Sequence, residues 1–423
     1  VLLRKNACGP HHEPRSFTHK SNSFVQPLGG RLRILFQYLA SGAGGGMSNV
    51  ALLLRAMAHE FPEDTLDLAC TRGAVPDDVS GAPNVRIHII GGKVPLELQR
   101  VSFETRRIRQ FAKQLAVDVI WSLNIGPYIR TGIPQVLSLH NAFQVYPWED
   151  CARYHPSPAA KLAALRLFFR RSLQCSDGLI VQTPLMEEYV RRIAGVPRLV
   201  ISIPKAVEGL ADLQQAPAPE ALATGSRPGV FRFLYVSTMT PHKNHLVLME
   251  AMRLLCNRGL NVQLVLTLTP AEAELVGGGL ARELSSRGHL LCIGWVSKQQ
   301  LRSVYDQSDA CVMPSLLESL SSCHLEAMAW SKPQLVSDCP FARDTCGDAA
   351  VFVPNSPLAW SRQMVRLMND QALRMELVER GRRRITAFPP TWRDVAARVR
   401  KVLQLSVQRA AGFEPFSPDA LRV

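Results

Sequence analysis

The sequence predicts a two-lobed α/β protein built on parallel sheets, and three observations carry that prediction. Strand-like apolar runs alternate with helix-like stretches from residue 31 to about residue 390, the pattern of parallel α/β architecture. The runs are near-continuous in Val, Ile and Leu, as expected of strands buried on both faces. The alternation breaks once, over EGLADLQQAPAPEALATGSRPG at 208–229, and then restarts. A chain of 423 residues is also too long for one ordinary core.

Taken in order, residues 1–30 carry His, Lys, Arg, Ser and Pro without the apolar centre of a signal peptide, and read as a disordered tail. The first lobe, 31–207, holds apolar runs at Leu32–Tyr38, Val85–Ile90, Val117–Leu123, Gln135–Leu139, Gly178–Val181 and Leu199–Ile203. Residues 208–229, rich in Ala, Pro and Gly, read as a linker. The second lobe, 230–390, has runs at Val230–Val236, Val262–Thr267, Leu290–Ile293, Ala310–Met313, Gln334–Val336 and Val351–Val353. Residues 391–423 read as a helix (Trp392 to Gln408) that crosses back to brace the first lobe, followed by a tail.

Composition narrows the class. Hydrophobic residues make up 47% and charged residues 20%, ordinary for a folded domain. No apolar run reaches the roughly 18–20 residues that a membrane-spanning helix needs. The ten cysteines are scattered singly, with no C-x-x-C pair, so neither a zinc site nor a disulfide framework is expected, Cys339 and Cys346 included. These features together point to the cytoplasm. A net charge of +14 calls for a phosphate-bearing partner: nucleic acid, anionic lipid or a nucleotide-sugar diphosphate. Basic residues gather at Arg106–Lys113, Lys161–Arg171 and Arg380–Arg384. In the middle cluster Leu162, Leu165, Phe169 and Leu173 fall at helical spacing. That helix fits a membrane surface, and fits somewhat better a domain face with a solvated basic edge.

Three segments carry chemistry. The first strand runs into SGAGGGMSNV, with Gly44, Gly45 and Gly46 in the loop and a helix starting near Met47 or Ser48. Glycines there let a backbone approach an anion at a helix start, though a structural turn accounts for them equally well. In YVSTMTPHKNH, Lys243 precedes a helix start, where its charge opposes the helix dipole unless an anion shares the site. In MPSLLESLSSCHLEAMAW, a loop carries Glu318 and a helix over roughly Leu320–Trp330 carries Glu326 two turns on. Ser319, Ser321 and Ser322 lie where capping hydroxyls belong. Two such carboxylates can reach separate hydroxyls of one extended ligand, while free N–H groups between them meet a phosphate.

These residues resemble glycosyltransferase family 4: Glu318, seven residues, Glu326, then Ala327–Ala329, Pro333 and Gly347–Ala350. The resemblance covers most of residues 31–400. It implies a GT-B fold, two Rossmann-like α/β domains facing a cleft, and retaining transfer from a nucleotide-sugar donor to a glycan or lipid-linked acceptor. On this resemblance Glu318 holds hydroxyls of the donor sugar, Glu326 holds the ribose, and Lys243 binds the diphosphate. The segment Ser319, Leu320, Ser321 and Ser322 lines the donor, Gly44–Gly46 flank the diphosphate, and His140 sits near the sugar. Catalysis then rests on Glu318, His140 and Lys243.

Two departures stand out. The family's Gly-Arg pair is Ser237-Thr238 here, removing one expected diphosphate cation. Where the family commonly has Gly-Phe-Gly-Leu-Pro, this chain has Ser319-Leu320-Ser321-Ser322-Cys323. The Pro241–Asn244 segment resembles a polysaccharide and lipopolysaccharide branch, with a GDP-mannose-like or UDP-sugar donor. No Asp-x-Asp occurs, which counts against a metal-dependent single-domain transferase, so no metal or other cofactor is expected. The partners expected are the donor, the acceptor and an anionic inner-membrane surface, without nucleic acid, since no nucleic-acid module is recognisable. Two other readings share the same residues: a catalytically inactive binding or scaffold protein of this fold, and a sugar-nucleotide epimerase.

Overall fold

The computed structural model describes residues 30–39, 45–71, 79, 81–91, 96–193, 195, 197, 199–208, 216–225, 227 and 229–412. Every element below belongs to one compact unit that begins at Leu32. The expected tail, Gly30 apart, lies outside the described residues, as do Gly44 and residues 209–215, 226 and 228 of the expected linker.

Two wholly parallel sheets form. The first has seven strands: β1 (Arg33–Tyr38), β2 (Thr65–Cys70), β3 (Val85–Ile89), β4 (Val119–Leu123), β5 (Gln135–Leu139), β6 (Gly178–Val181) and β7 (Leu199–Ser202). Its spatial order is β3-β2-β1-β4-β5-β6-β7. The second has six: β8 (Phe231–Tyr235), β9 (Val262–Leu266), β10 (Leu290–Cys292), β11 (Ala310–Met313), β12 (Gln334–Ser337) and β13 (Val351–Val353), ordered β10-β9-β8-β11-β12-β13. Each order reverses beside its first strand. In sheets wound this way ligands bind outside the carboxyl ends of the strands at that reversal.

The central strands are buried along their length, β4, β5, β9 and β11 at every position, which is why they stand out as apolar runs. β2 was not among the expected strands. It is equally buried, but Asp67 interrupts its apolar run and is satisfied by His88 Nε2 at 2.7 Å on the adjacent strand.

Five helices position the site or brace the sheets: α1 (Gly45–Glu60), α2 (Ala159–Cys175), α3 (His245–Cys256), α4 (Ser322–Ala329) and α5 (Trp392–Ala410). In α2, Leu162, Phe169 and Leu173 are wholly buried and Leu165 packs against the same core. The apolar stripe is therefore turned inward, leaving Leu167 and Phe168 exposed beside Lys161 and Arg170. Within the Pro-rich segment Glu220–Thr224 forms a short helix whose Leu222 is buried. The last helix, α5, starts in a Thr391/Asp394 capping box. Its Val395, Val399, Val402 and Leu403 join Ile34, Val119 and Ile180 in the core beside the first sheet. Arg400 fixes it there with two bonds to Asp64, at 2.6 and 2.8 Å, the paired geometry that makes Arg–carboxylate contacts strong. All nine described cysteines are free, Cys339 and Cys346 among them. Among the described residues no helix is long and apolar enough to cross a membrane.

Candidate functional site

The site is assembled from loops that leave the carboxyl ends of β5, β7, β8 and β11. After β8, residues Pro241–Lys243 make a single 3-10 turn, and Asn244 takes the left-handed conformation (φ 54°) before α3 begins. Asn tolerates that conformation better than most residues. Here its side chain also donates to Pro314 O at 3.3 Å and Asn355 Oδ1 at 2.9 Å. Leu316 N donates to His242 O at 2.8 Å, and the Tyr235 hydroxyl donates to Lys243 O at 3.0 Å. The loops after β8 and β11 are thereby stitched together, which brings Lys243 Nζ onto Glu318 Oε1.

That contact is a nearly buried ion pair, with side-chain exposures of 15% and 14%. Burial opposes the charge of Lys243, but the Glu318 carboxylate outweighs it and holds the ammonium above its ordinary value. Burial likewise pushes the Glu318 carboxyl up, and Lys243 reverses this, leaving it below the usual range. The anion that the sequence demanded for Lys243 is thus already present in the protein: it is Glu318.

Glu326, on α4, is buried. It accepts a bond from the Tyr305 hydroxyl at 2.8 Å. Burial raises its carboxyl pKa, against the pull of Tyr305 and Lys205. It lines a cleft of about 710 Å³, together with Ser322, Lys205, Lys298, Leu301 and Trp330. Glu318, Lys243 and His140 are not among the residues lining that cavity.

The serines do not act as expected. Helix α4 begins at Ser322, two residues later than its sequence pattern suggests, and its N-cap Ser321 makes no side-chain capping bond. Ser319 Oγ instead donates to His140 O at 2.8 Å, and Ser322 Oγ receives a bond from Lys205 Nζ. Hydroxyls assigned to capping tie this loop to the segments after β5 and β7. The helix start keeps N–H groups free of side-chain caps, and such groups suit an anion. Leu320, between these serines, is buried and offers its carbonyl to Lys205 at 3.1 Å.

His140, just beyond β5, is held by its backbone N–H, which donates to Asn124 Oδ1 at 2.8 Å. Burial and then the Lys205 ammonium lower its imidazole to about 4, so it is neutral near pH 7. Helix α1 begins at Gly45 rather than near Met47. Gly45 and Gly46 therefore supply its first N–H groups instead of a preceding loop. Gly44 lies outside the described residues.

Two contributors were missed, Lys205 and Tyr305. Lys205 had a legible signal: a lone lysine inside the apolar run ISIPKAV, just past a parallel strand. Tyr305 had none, because it reaches Glu326 from a separate helix, Lys298–Asp306, 21 residues earlier in the chain.

A family profile described as "Glycosyl transferases group 1" matches residues 223–384, and one described as "Glycosyltransferase Family 4" matches residues 44–208. No functionally curated protein matches the chain. Among solved structures, sucrose-phosphate synthase from Thermosynechococcus elongatus is similar with a TM-score of 0.66 at 19% identity, covering 90% of this chain and 100% of its own. HepE from Anabaena, solved with UDP and glucose, gives 0.64 at 14% identity, covering 88% and 99%. WaaG, a glycosyltransferase involved in lipopolysaccharide biosynthesis, gives 0.63 at 14% identity, covering 90% and 100%. At these identities the likeness establishes the shared GT-B fold.

Proposed function

The chain belongs to glycosyltransferase family 4, group 1, and from that premise we propose that it is a retaining, metal-independent hexosyltransferase. It moves a sugar from a UDP- or GDP-linked donor to a glycan or lipid-linked acceptor in polysaccharide or lipopolysaccharide synthesis. The observation that carries this reading is that the Lys243–Glu318 pair and Glu326, which lines the cleft with Ser322 at the uncapped start of α4, all lie within electrostatic reach of Lys205. The UDP and glucose named with HepE and the pathway named with WaaG favour a hexose donor and an envelope-type acceptor.

Each group then has a chemical task. Glu326, steadied by Tyr305, accepts bonds from the ribose hydroxyls. Glu318 accepts from hydroxyls of the sugar. As the bond from the anomeric carbon to the diphosphate oxygen breaks, negative charge grows on that oxygen. Lys243 and the free N–H groups of α4 stabilise the charge where it develops. The acceptor oxygen bonds to the anomeric carbon on the face that the diphosphate leaves, and its proton passes to the departing diphosphate. Neutral His140 bonds a sugar hydroxyl and keeps the sugar in place.

The exposed Leu167 and Phe168, flanked by Lys161 and Arg170, suit an anionic bilayer. The enzyme then works at the cytoplasmic face of the inner membrane, where a lipid-linked acceptor is presented. The test is incubation with UDP- and GDP-hexoses and lipid-linked glycan in EDTA, with NMR of the product. A new glycosidic bond that keeps the donor's anomeric configuration supports the reading. Donor that changes configuration without transfer points to an epimerase, and donor that binds without reacting points to a scaffold.

A further inference from the structure

We propose that Lys205, arriving from the segment after β7, is the second cation for the donor diphosphate, in place of the arginine that Thr238 lacks. This rests on the transferase reading above. The position beside Thr238 is already occupied by a neutral network. Ser237 N donates to Thr267 Oγ1 at 2.8 Å, and Ser237 Oγ lies 2.7 Å from His245 Nε2. Burial leads the effects that lower the His245 imidazole to about 4, so this network carries no charge near neutrality. A diphosphate there gains no cation from β8 itself until it reaches Lys243.

Lys205 supplies one from the opposite side. It is 8% exposed and lines the cleft with Ser322 and Glu326. Its ammonium spends two of its three protons, on Leu320 O at 3.1 Å and on Ser322 Oγ, leaving one for a ligand oxygen. Among the described residues no carboxylate lies within ion-pair distance of it. A buried ammonium at the start of a helix is opposed by burial and by the helix dipole together. A diphosphate seated between Lys205, Lys243 and the first N–H groups of α4 removes both objections.

The groups facing Lys205 are Glu326 and Cys323 on α4, Glu318 in the loop after β11, Lys243 after β8 and His140 after β5. Burial lowers the Lys205 ammonium to about 8, against the opposing pull of Glu326. In the empty site it therefore loses its proton just above neutral pH, and an arriving diphosphate restores it. Diphosphate affinity should fall as pH rises through about 8. An arginine at this position stays charged and abolishes the fall.

The experiment is calorimetric titration of UDP and GDP into wild type, K205M and K205R at pH 7 and pH 9.5, with uridine and guanosine binding followed by NMR. K205M should bind the preferred diphosphate about 10- to 100-fold more weakly and its nucleoside as wild type does. K205R should bind the diphosphate with no loss between the two pH values. Undiminished diphosphate binding by K205M overturns the proposal, as does equal loss of nucleoside binding. So does a pH dependence in K205R identical to that of wild type. Failure of wild type to bind either diphosphate overturns the transferase reading, and the proposal with it.

Discussion

Replacing Lys243 by Met isolates the ion pair on which the site is built. Both partners are about 85% withdrawn from solvent, from exposures of 15% and 14%, so the change leaves a largely desolvated carboxylate without its paired cation. Breaking such a pair costs about 3–5 kcal/mol. The double variant K243M/E318Q removes both charges and leaves a neutral amide, so it should lose only about 1–2 kcal/mol. The pH dependence separates this mechanism from simple misfolding. In wild type, Glu318 sits below its ordinary pKa, so its stabilisation holds above the unfolded carboxyl value of about 4.3. That contribution is lost as pH falls through the folded value. In K243M burial is opposed only by the weaker pull of His242 and Ser315, so the folded pKa should rise above the unfolded one. Its deficit should then shrink on acidification toward about pH 4. Urea unfolding followed by tryptophan fluorescence at pH 7 and pH 4.5 reads all of this. Equal midpoints for K243M and wild type, or a double variant no more stable than K243M, would refute the argument.

Other perturbations probe the remaining parts. Glu326→Gln removes a charged acceptor from the cleft and should weaken nucleotide affinity about tenfold, as read by calorimetry. Because burial raises the Glu326 carboxyl, wild-type affinity should climb with pH through the upper carboxylate range, and the Gln variant should stay flat. Glu318→Gln frees Lys243 for phosphate, so UDP or GDP should bind more tightly by a few-fold while kcat falls by at least tenfold. Weaker diphosphate binding in that variant would contradict the assigned pairing. Leu403→Ala, in the wholly buried seam between α5 and the first sheet, should cost about 2–5 kcal/mol and lower Tm. The donor KM measured below the melting range should not move.

The fold was legible because strands of a parallel sheet covered on both faces must be apolar nearly throughout, as Val119–Leu123 and Val262–Leu266 are. β2 escaped notice for the same reason in reverse, since Asp67 breaks its run and its compensating partner, His88, lies on another strand. Glu318, Glu326 and Lys243 were legible as a motif, but their pairing was not. Lys243 looked like a residue awaiting an anion, and only the stitching of two loops through Asn244 and Leu316 reveals Glu318 as that anion. The serines show the limit most clearly. Beside a helix start they read as caps, yet Ser319 bonds a carbonyl 179 residues away. Lys205 likewise reaches Leu320 across 115 residues. Local chemistry predicts which groups are polar, and the crossing of distant segments decides whom they bond.

The central claim is a nucleotide-sugar site that needs no metal, and a thermal-shift screen tests it most directly. Purified protein is melted in EDTA with UDP-, GDP-, ADP- and dTDP-sugars, alongside the Lys243→Ala variant. A rise in Tm with UDP- or GDP-sugars, absent in Lys243→Ala, is the predicted result. No shift with any donor in EDTA, or a shift that appears only when a divalent cation is restored, would contradict it.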